Sequence, residues 1–446
     1  MKTREMTTEF DRNKTPDVVI IGAGVIGSSI ALGLTRKGFK TLSIDALPAA
    51  GFGSTSYSSG IVRPFYSAIE SCALAHEARS RWLRWPEFLA RGDERGYAKY
   101  IECGMLMLLA KGDKEIFQNS LDAMKDVDVA FEYLTAEELS ARFPAFELTS
   151  FGPPKLPEDP AFGIANEAAL TGGILISEAG YVGDPQLAAH NLQRSAEALG
   201  AEFKFSTEIV AINRSNERVT GVTTGAGETI RAPIVVNVTG PHSSVVNKMT
   251  GITDDMCIPT RPMRHEVAHI PAPSSFSPNH YRCVVGDGDT GVYMRPELGD
   301  NMLIGSLDPK CDASDYVSAD NYNTELTGQW TRQVWRAAQR IPALSIPNTA
   351  QGVVGLYDAT PDWIPIYDKS SLPGFYMAIG TSGNQFKNAP VIGDLMARLI
   401  TACEAGHDHD SDPVTFHLPA LNRAISLGFF SRHRSVHSKT SGTVLA

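Results

Sequence analysis

The stretch DVVIIGAGVIGSSIALGLTRKGFKTLSID, residues 17–45, decides the first part of the fold. Val18 to Ile21 is a continuous apolar run rich in β-branched residues, the pattern of a strand buried on both faces of a parallel sheet. Gly22, Gly24 and Gly27 then fall in the spacing G-x-G-x-x-G, with Val25 and Ile26 inside it. In that pattern Gly22 makes the tight turn, Gly24 lets the backbone approach a pyrophosphate, and Gly27 lets helix pack closely on strand. Ile26, Ile30 and Leu34 recur at helical spacing, and Lys37-Gly38 supplies a basic last turn and a glycine cap. Thr41 to Ile44 reads as the next strand. Asp45 ends it about twenty residues past the turn, where a carboxylate can accept both hydroxyls of an adenosine ribose. An acid there disfavours a 2′-phosphate, which leaves FAD or NAD as the ligand and sets NADP aside.

The remaining composition bounds the answer. A chain of 446 residues exceeds the usual size of one core, so two domains or one elaborated two-part fold is expected. Hydrophobic residues at 43% and charged residues at 20% describe a soluble globular protein. A formal net charge of −10 gives no basic face for nucleic acid. The six cysteines, at 72, 103, 257, 283, 311 and 403, contain no CxxC, so neither a zinc site nor a disulfide framework is expected, and a reducing cytoplasm is the simplest reading. The histidines of the tail recur at no ligand spacing, so no metal is expected. The leader from Met1 to Pro16 is polar, and glycines and serines interrupt the apolar window from Val18 to Leu34, so no targeting segment or membrane span is expected.

Periodicity alone does not separate FAD from NAD, because the same fingerprint serves both. The loop after Asp45, ALPAAGFGSTSYSSGIVRPFY, replaces the third helix-strand unit of a simple NAD domain with small residues. Ser54, Ser56, Ser59 and Gly60 are its candidates to lie against an extended cofactor. A second strand, Ile234 to Val238, runs into Thr239-Gly240-Pro241-His242. A third, Phe375 to Ile379, runs into a turn from Gly380 to Gly383 and then a helix beginning around Asn388 to Pro390, where proline suits the first turn. Three such junctions imply one cofactor domain assembled from separated segments.

The expected architecture is therefore α/β plus α+β. A discontinuous Rossmann-like domain takes residues 15–95, 170–248 and 350–405. An antiparallel-sheet substrate domain takes 96–169 and 249–349, with HEVAHI, RCVVGD, TGVYMRPE and NMLIGS as its strands. Residues 406–446 form a C-terminal extension, polar and in part mobile. Thr135 with Glu138 reads as a capping box. The helix in ELTGQWTRQVWRAAQRIP is amphipathic, and its tryptophans read as packing residues.

GSTSYSSGIVRP, LTAEELSARFPAF, VNVTGPHS, GLYDATPDWIPI and GTSGNQFKNAP, in that order, resemble the flavin-dependent amine and amino-acid oxidoreductases grouped with D-amino-acid oxidase. Within that group the chain is most similar to sarcosine oxidase, the dimethylglycine and sarcosine dehydrogenases and glycine oxidase, from Asp17 to about Ile400. The resemblance implies FAD at a domain junction and oxidation of a C–N bond by hydride transfer to flavin N5, with hydrolysis of the imine product. It also implies that Arg63 and Lys387 clasp the substrate carboxylate. The residue chemistry agrees: arginine gives a planar two-point fit and lysine a compact charge. Tyr357 matches a position on the substrate side of the flavin, with Tyr293 a further cavity candidate and His265 a weaker one. Backbone N–H groups from Gly383 through Asn384 to Gln385, with Lys387, are expected to face the flavin edge where negative charge builds. Asp358 and Asp362 read as strand-end and turn residues.

Two departures from the family pattern shape the expectation. No cysteine precedes Tyr357 and no histidine stands in GFGSTSYSSG, so FAD is expected to be non-covalent. Asn301, Met302 and Leu303 stand where sarcosine oxidase carries its oxygen-activating lysine, so the acceptor, oxygen or a protein or quinone, stays open. The expected activity is oxidation of a secondary or N-methylated amino acid. The alternatives are primary, cyclic or opine-type amino acids, or a flavin-carrying subunit of a hetero-oligomeric amine dehydrogenase. Oligomeric state also stays open.

Overall fold

The computed structural model describes residues 15–215, 218–251, 254–276 and 282–437. Most of the polar leader and the end of the tail lie outside the described residues.

The opening stretch folds as its pattern dictates. Val18–Ile21 is fully buried along its length, and burying each such aliphatic side chain stabilises the fold by about 1.5–3 kcal/mol. It is flanked in parallel by Thr41–Ile44 and by Ile234–Asn237, with Val18 opposite both Thr41 and Ile234. Phe375–Ile379 joins beyond Ile234–Asn237, also in parallel, and Ile366–Lys369 closes that edge as an antiparallel hairpin partner. Glu202–Lys204 forms the other edge. The result is a six-stranded sheet drawn from four distant parts of the chain. The helix Val25–Arg36 packs on it and meets the long helix Ala389–Glu404, where the Gly393 N–H donates to Ser29 Oγ at 3.1 Å.

A second sheet of eight strands stands against the first. Its order is 352–359, 261–271, 301–306, 292–297, 284–287, 105–109, 172–176 and 132–135. Its pairs are antiparallel except Val284–Asp287 with Met105–Leu109, which run parallel. The four strands read from the middle of the chain all appear in it. Two others correct the expected boundaries. Gly172–Ile176 and Gly352–Ala359 fall on the dinucleotide side of the divisions at 170 and 350, yet both belong to this second sheet. The chain leaves the second sheet inside those segments, after Ile176 for a small three-stranded sheet that includes Gly180–Val182 and after Ala359 for Ile366–Lys369 of the first sheet, and a strand gives no local sign of which sheet it joins.

Local signals fare well. Thr135 and Glu138 form the reciprocal capping box, a contact worth about 1 kcal/mol. In the amphipathic helix Gly328–Arg340, Trp330 is buried as expected, while Trp335 is exposed on the outer face. The tail departs from expectation. Residues 415–426 form a hairpin, and Arg432 and Arg434 are buried against acids of the body. Ion pairing docks a segment whose polarity suggested mobility. Among the described residues no helix is long and apolar enough to cross a membrane.

Candidate active site

The register of the six-stranded sheet sets Ile21, Asn237 and Met377 side by side, so the three loops that follow emerge together at one edge. Gly22 adopts φ +107° beneath the second loop, where an added Cβ would lie 2.4 Å from the Val238 carbonyl. At Gly27 a Cβ would lie 2.0 Å from the Gly22 carbonyl, so the turn and the first helical turn fit only without side chains. Gly24 occupies the N-cap and offers no capping group; Thr55 from the small-residue loop accepts the Val25 N–H at 3.1 Å. Ile26 follows in the same buried turn. The Asp45 carboxylate sits beside this turn, accepting the Ala23 N–H at 2.6 Å and the Leu47 N–H at 2.9 Å, and burial raises its pKa.

Thr239 and Gly240 lie at the second junction. Thr239 Oγ1 donates to Asn237 Oδ1 at 2.7 Å, and Gly240 at φ +55° faces open space. A turn without room for Cβ atoms, a helix N-terminus and a carboxylate at the neighbouring strand end together fit a dinucleotide. The other loop serines divide. Ser59 faces the cavity described below, and Gly60 turns the chain at φ +63°. Ser54 instead ties the loop to the second sheet through the Leu356 carbonyl at 2.7 Å, and Ser56 bonds the Gly53 carbonyl within its own turn. Their hydroxyls are used internally and do not join the cluster.

Between the two sheets lies a hollow whose walls carry the remaining candidates. Arg63 leaves the short strand Ile61–Val62, which pairs with Gly180–Val182. Its guanidinium lies 4.4 Å from the Tyr66 ring centroid and donates to the Phe65 carbonyl. Lys387 comes from the third junction; its Nζ donates to the Tyr66 hydroxyl at 2.7 Å and to the Asn384 carbonyl. Burial first, and the Arg63 charge second, hold Lys387 well below the ordinary lysine range. Trp82 fixes the Lys387 backbone by donating to its carbonyl at 2.7 Å.

On the opposite wall stand Tyr357 and Tyr293. Gly383, at φ +67°, lies flat against Tyr357: a Cβ there would come 2.4 Å from the ring. His265 stacks on the Tyr357 ring at 4.1 Å between centroids, and the Tyr293 hydroxyl reaches Ser59 Oγ at 3.5 Å. Burial raises the pKa of both phenols, so they stay protonated. The loop between is tied down throughout. Asn384 Nδ2 donates to the Trp363 carbonyl at 3.2 Å, Gln385 Nε2 donates to Asn384 Oδ1 at 2.6 Å, and Gln385 Oε1 accepts from Tyr367 at 3.0 Å. The Gly380 N–H donates to Asp358 Oδ2 at 2.6 Å; burial pushes that carboxyl up to about 7. Asp358 and Asp362 are a strand-end and a turn residue, as expected, and both brace the site from outside it.

Thus Arg63, Tyr293, Tyr357 and the loop that carries Gly383 to Gln385 and Lys387 converge from four parts of the chain. Among the described residues lining the hollow there is no acidic side chain, while two are cationic. Such a lining favours an anion. Sequence reasoning missed Thr55, Tyr66, Trp82 and Trp363. The only signal for Tyr66 was its place three residues after Arg63 in RPFY.

A dinucleotide turn opening a discontinuous parallel sheet, with a cation-bearing hollow between it and a second sheet, defines a two-layer nucleotide-dependent oxidoreductase. The chain belongs to the DAO family of FAD dependent oxidoreductases, whose model matches residues 17–399. It is 24% identical over 428 residues to a D-amino acid dehydrogenase of Methylobacterium radiotolerans, covering 86% of this chain and 95% of that one. It is 24% identical over 421 residues to the monomeric sarcosine oxidase of Bacillus sp. (strain NS-129), covering 90% and 96%. The fold matches that of L-proline dehydrogenase from P. horikoshii at a TM-score of 0.72 and 21% identity, covering 87% and 94%. FAD supplies the two-electron acceptor in this family, which settles the choice that the fingerprint left between FAD and NAD.

Proposed function

We propose that this FAD-dependent enzyme oxidises the C–N bond of a secondary or N-methylated amino acid of the sarcosine type. The observation that carries the reading is the pairing of Arg63 and Lys387 in one hollow, against a wall of two protonated phenols. The substrate carboxylate is held by the guanidinium and the ammonium, which fixes the substrate at one end. Tyr357, pressed against Gly383, orients the amine-bearing carbon from the other side. Exclusion of water between the two sheets strengthens both contacts and favours the uncharged amine. Oxidation then removes two electrons and two protons from the CH–NH unit to leave an imine, which water hydrolyses to the free amine and a carbonyl compound. The relatives' names, sarcosine oxidase and D-amino acid dehydrogenase, support an amino-acid substrate and leave its nitrogen substituent to experiment.

The test is anaerobic bleaching of the flavin by sarcosine, N-methylated amino acids, proline and primary D- and L-amino acids. Faster bleaching by the N-substituted compounds is expected. Bleaching by primary amino acids alone would overturn the substrate class.

A further inference from the structure

The C-terminal segment reaches back to the turn beside the candidate active site chiefly through Arg434, with the His437 N–H donating to Asp362 Oδ2 at 3.4 Å. Arg434, buried, pairs with Asp362 at two points: Nε donates to Oδ2 at 3.0 Å and Nη2 to Oδ1 at 2.9 Å. The same guanidinium donates to the Ile364 carbonyl at 2.6 Å and the Pro365 carbonyl at 3.1 Å. All four bonds land on one turn, residues 360–365, which lies 72 residues away from Arg434 in sequence at Asp362.

At the centre of that turn Trp363 adopts φ +61°. This is the left-handed region, which a bulky side chain occupies only where its surroundings hold it there. The turn's own bonds are the Trp363 N–H to the Thr360 carbonyl at 3.2 Å, Thr360 Oγ1 to the Ile364 carbonyl at 2.9 Å and the Ile364 N–H to Asp362 Oδ1 at 3.2 Å, and Ser382 Oγ accepts the Thr360 N–H at 3.1 Å. Arg434 ties the acid and two carbonyls of the turn into a single planar fork, a geometry that lysine does not reproduce. What the turn presents inward backs two residues that line the hollow, Tyr357 and Asn384. The Trp363 carbonyl accepts from Asn384 Nδ2, and its ring stands edge-on to Tyr357, 6.3 Å away at 79°. Arg432, two residues before Arg434, anchors the segment by donating to Asp255, Asp368 and Asp410.

We propose that Arg434 is a positioning residue: the C-terminal segment is a strap that locks the strained Trp363 turn and thereby sets Tyr357 and Asn384 at the substrate cavity. The strap acts on residues that the proposed function uses, so part of its test rests on that reading.

The test compares full-length Arg434→Lys and Arg434→Gln with the wild type. The first readout is the emission of Trp363 in flavin-free protein, isolated as the difference between each protein and its Trp363→Phe counterpart. A red shift is expected in both variants as the turn opens to water. The second is acetate affinity, read from perturbation of the flavin absorbance, expected to fall about tenfold in Arg434→Lys and further in Arg434→Gln. Arg434→Lys is expected to melt close to the wild type, which separates positioning from folding. Unchanged Trp363 emission and unchanged acetate affinity in Arg434→Lys would overturn the strap, whether or not Arg434→Gln folds. Failure of acetate to perturb the wild-type flavin would count against the carboxylate reading, and the emission shift alone would then decide the strap.

Discussion

Lys387 donates to the hydroxyl of Tyr66 at 2.7 Å, and the face of the same phenol carries the Arg63 guanidinium. One aromatic ring thus spaces two cations that come from distant loops, Lys387 lying 321 residues beyond Tyr66. Held together in a buried hollow, like charges repel, and that repulsion is relieved when an anion enters. Under the proposed function, the arrangement stores affinity for the substrate carboxylate.

The pH dependence of that affinity follows from the lysine. Burial and Arg63 lower the Lys387 pKa, so its charge is lost at lower pH than that of a free lysine. Arginine keeps its charge throughout. The Kd for acetate is therefore expected to rise as pH climbs through the lowered pKa. Lys387→Met should bind about 10- to 100-fold more weakly at the acid end of the range and lack the rise. Flavin-perturbation titrations at a series of pH values measure both.

Gly383 leaves no room for a side chain. Alanine there meets the Tyr357 ring and adopts φ +67°, at a cost of about 1–3 kcal/mol. Gly383→Ala is expected to lower the melting temperature and impair substrate binding while retaining flavin, because the glycine turn at Gly22 to Gly27, the proposed seat of the pyrophosphate, is untouched. Melting curves and the ratio of visible to ultraviolet absorbance test this.

Asp358 should destabilise the fold as pH rises. Its folded pKa of about 7 exceeds the unfolded value, so the folded state holds the proton more tightly. Its stabilising contribution is complete below about pH 4, falls as pH rises toward about 7, and is lost above that. Asp358→Asn carries no such dependence. Wild type minus variant stability, from denaturant midpoints between pH 4 and 8, is expected to decline across that window; parallel profiles would contradict it.

Covalent attachment is not expected. Gly355 and Leu356 precede Tyr357, and no histidine stands in the loop from residue 51 to 60. Acid precipitation should leave a colourless pellet and a yellow supernatant.

Much of this was legible in the sequence because it is local. The strand, glycine turn and helix from Val18 to Arg36 follow from residues within reach of one another, as does the Thr135 cap. The three junctions were visible because each couples a buried β-run to a turn. What escaped depends on distance. Nothing near Gly352–Ala359 says that it joins the second sheet, since its partners lie about 90 residues earlier, at Arg261–Pro271. Tyr66 looked like an ordinary aromatic until Lys387 arrived beside it. The tail read as polar and in part mobile because Asp255, Asp362 and Asp368, which bury its arginines, lie far upstream. Ion pairs of that kind leave no periodicity.

The central claim is that Arg63 and Lys387 together hold the carboxylate of an amino-acid substrate beside a bound flavin. The most direct measurement is titration of the flavin absorbance with acetate, and with neutral acetamide as control, in wild type and in Arg63→Met/Lys387→Met. Saturable perturbation by acetate and not by acetamide in the wild type, abolished in a double variant that remains yellow, is the predicted result. Equal acetate affinity in the two proteins would contradict the account.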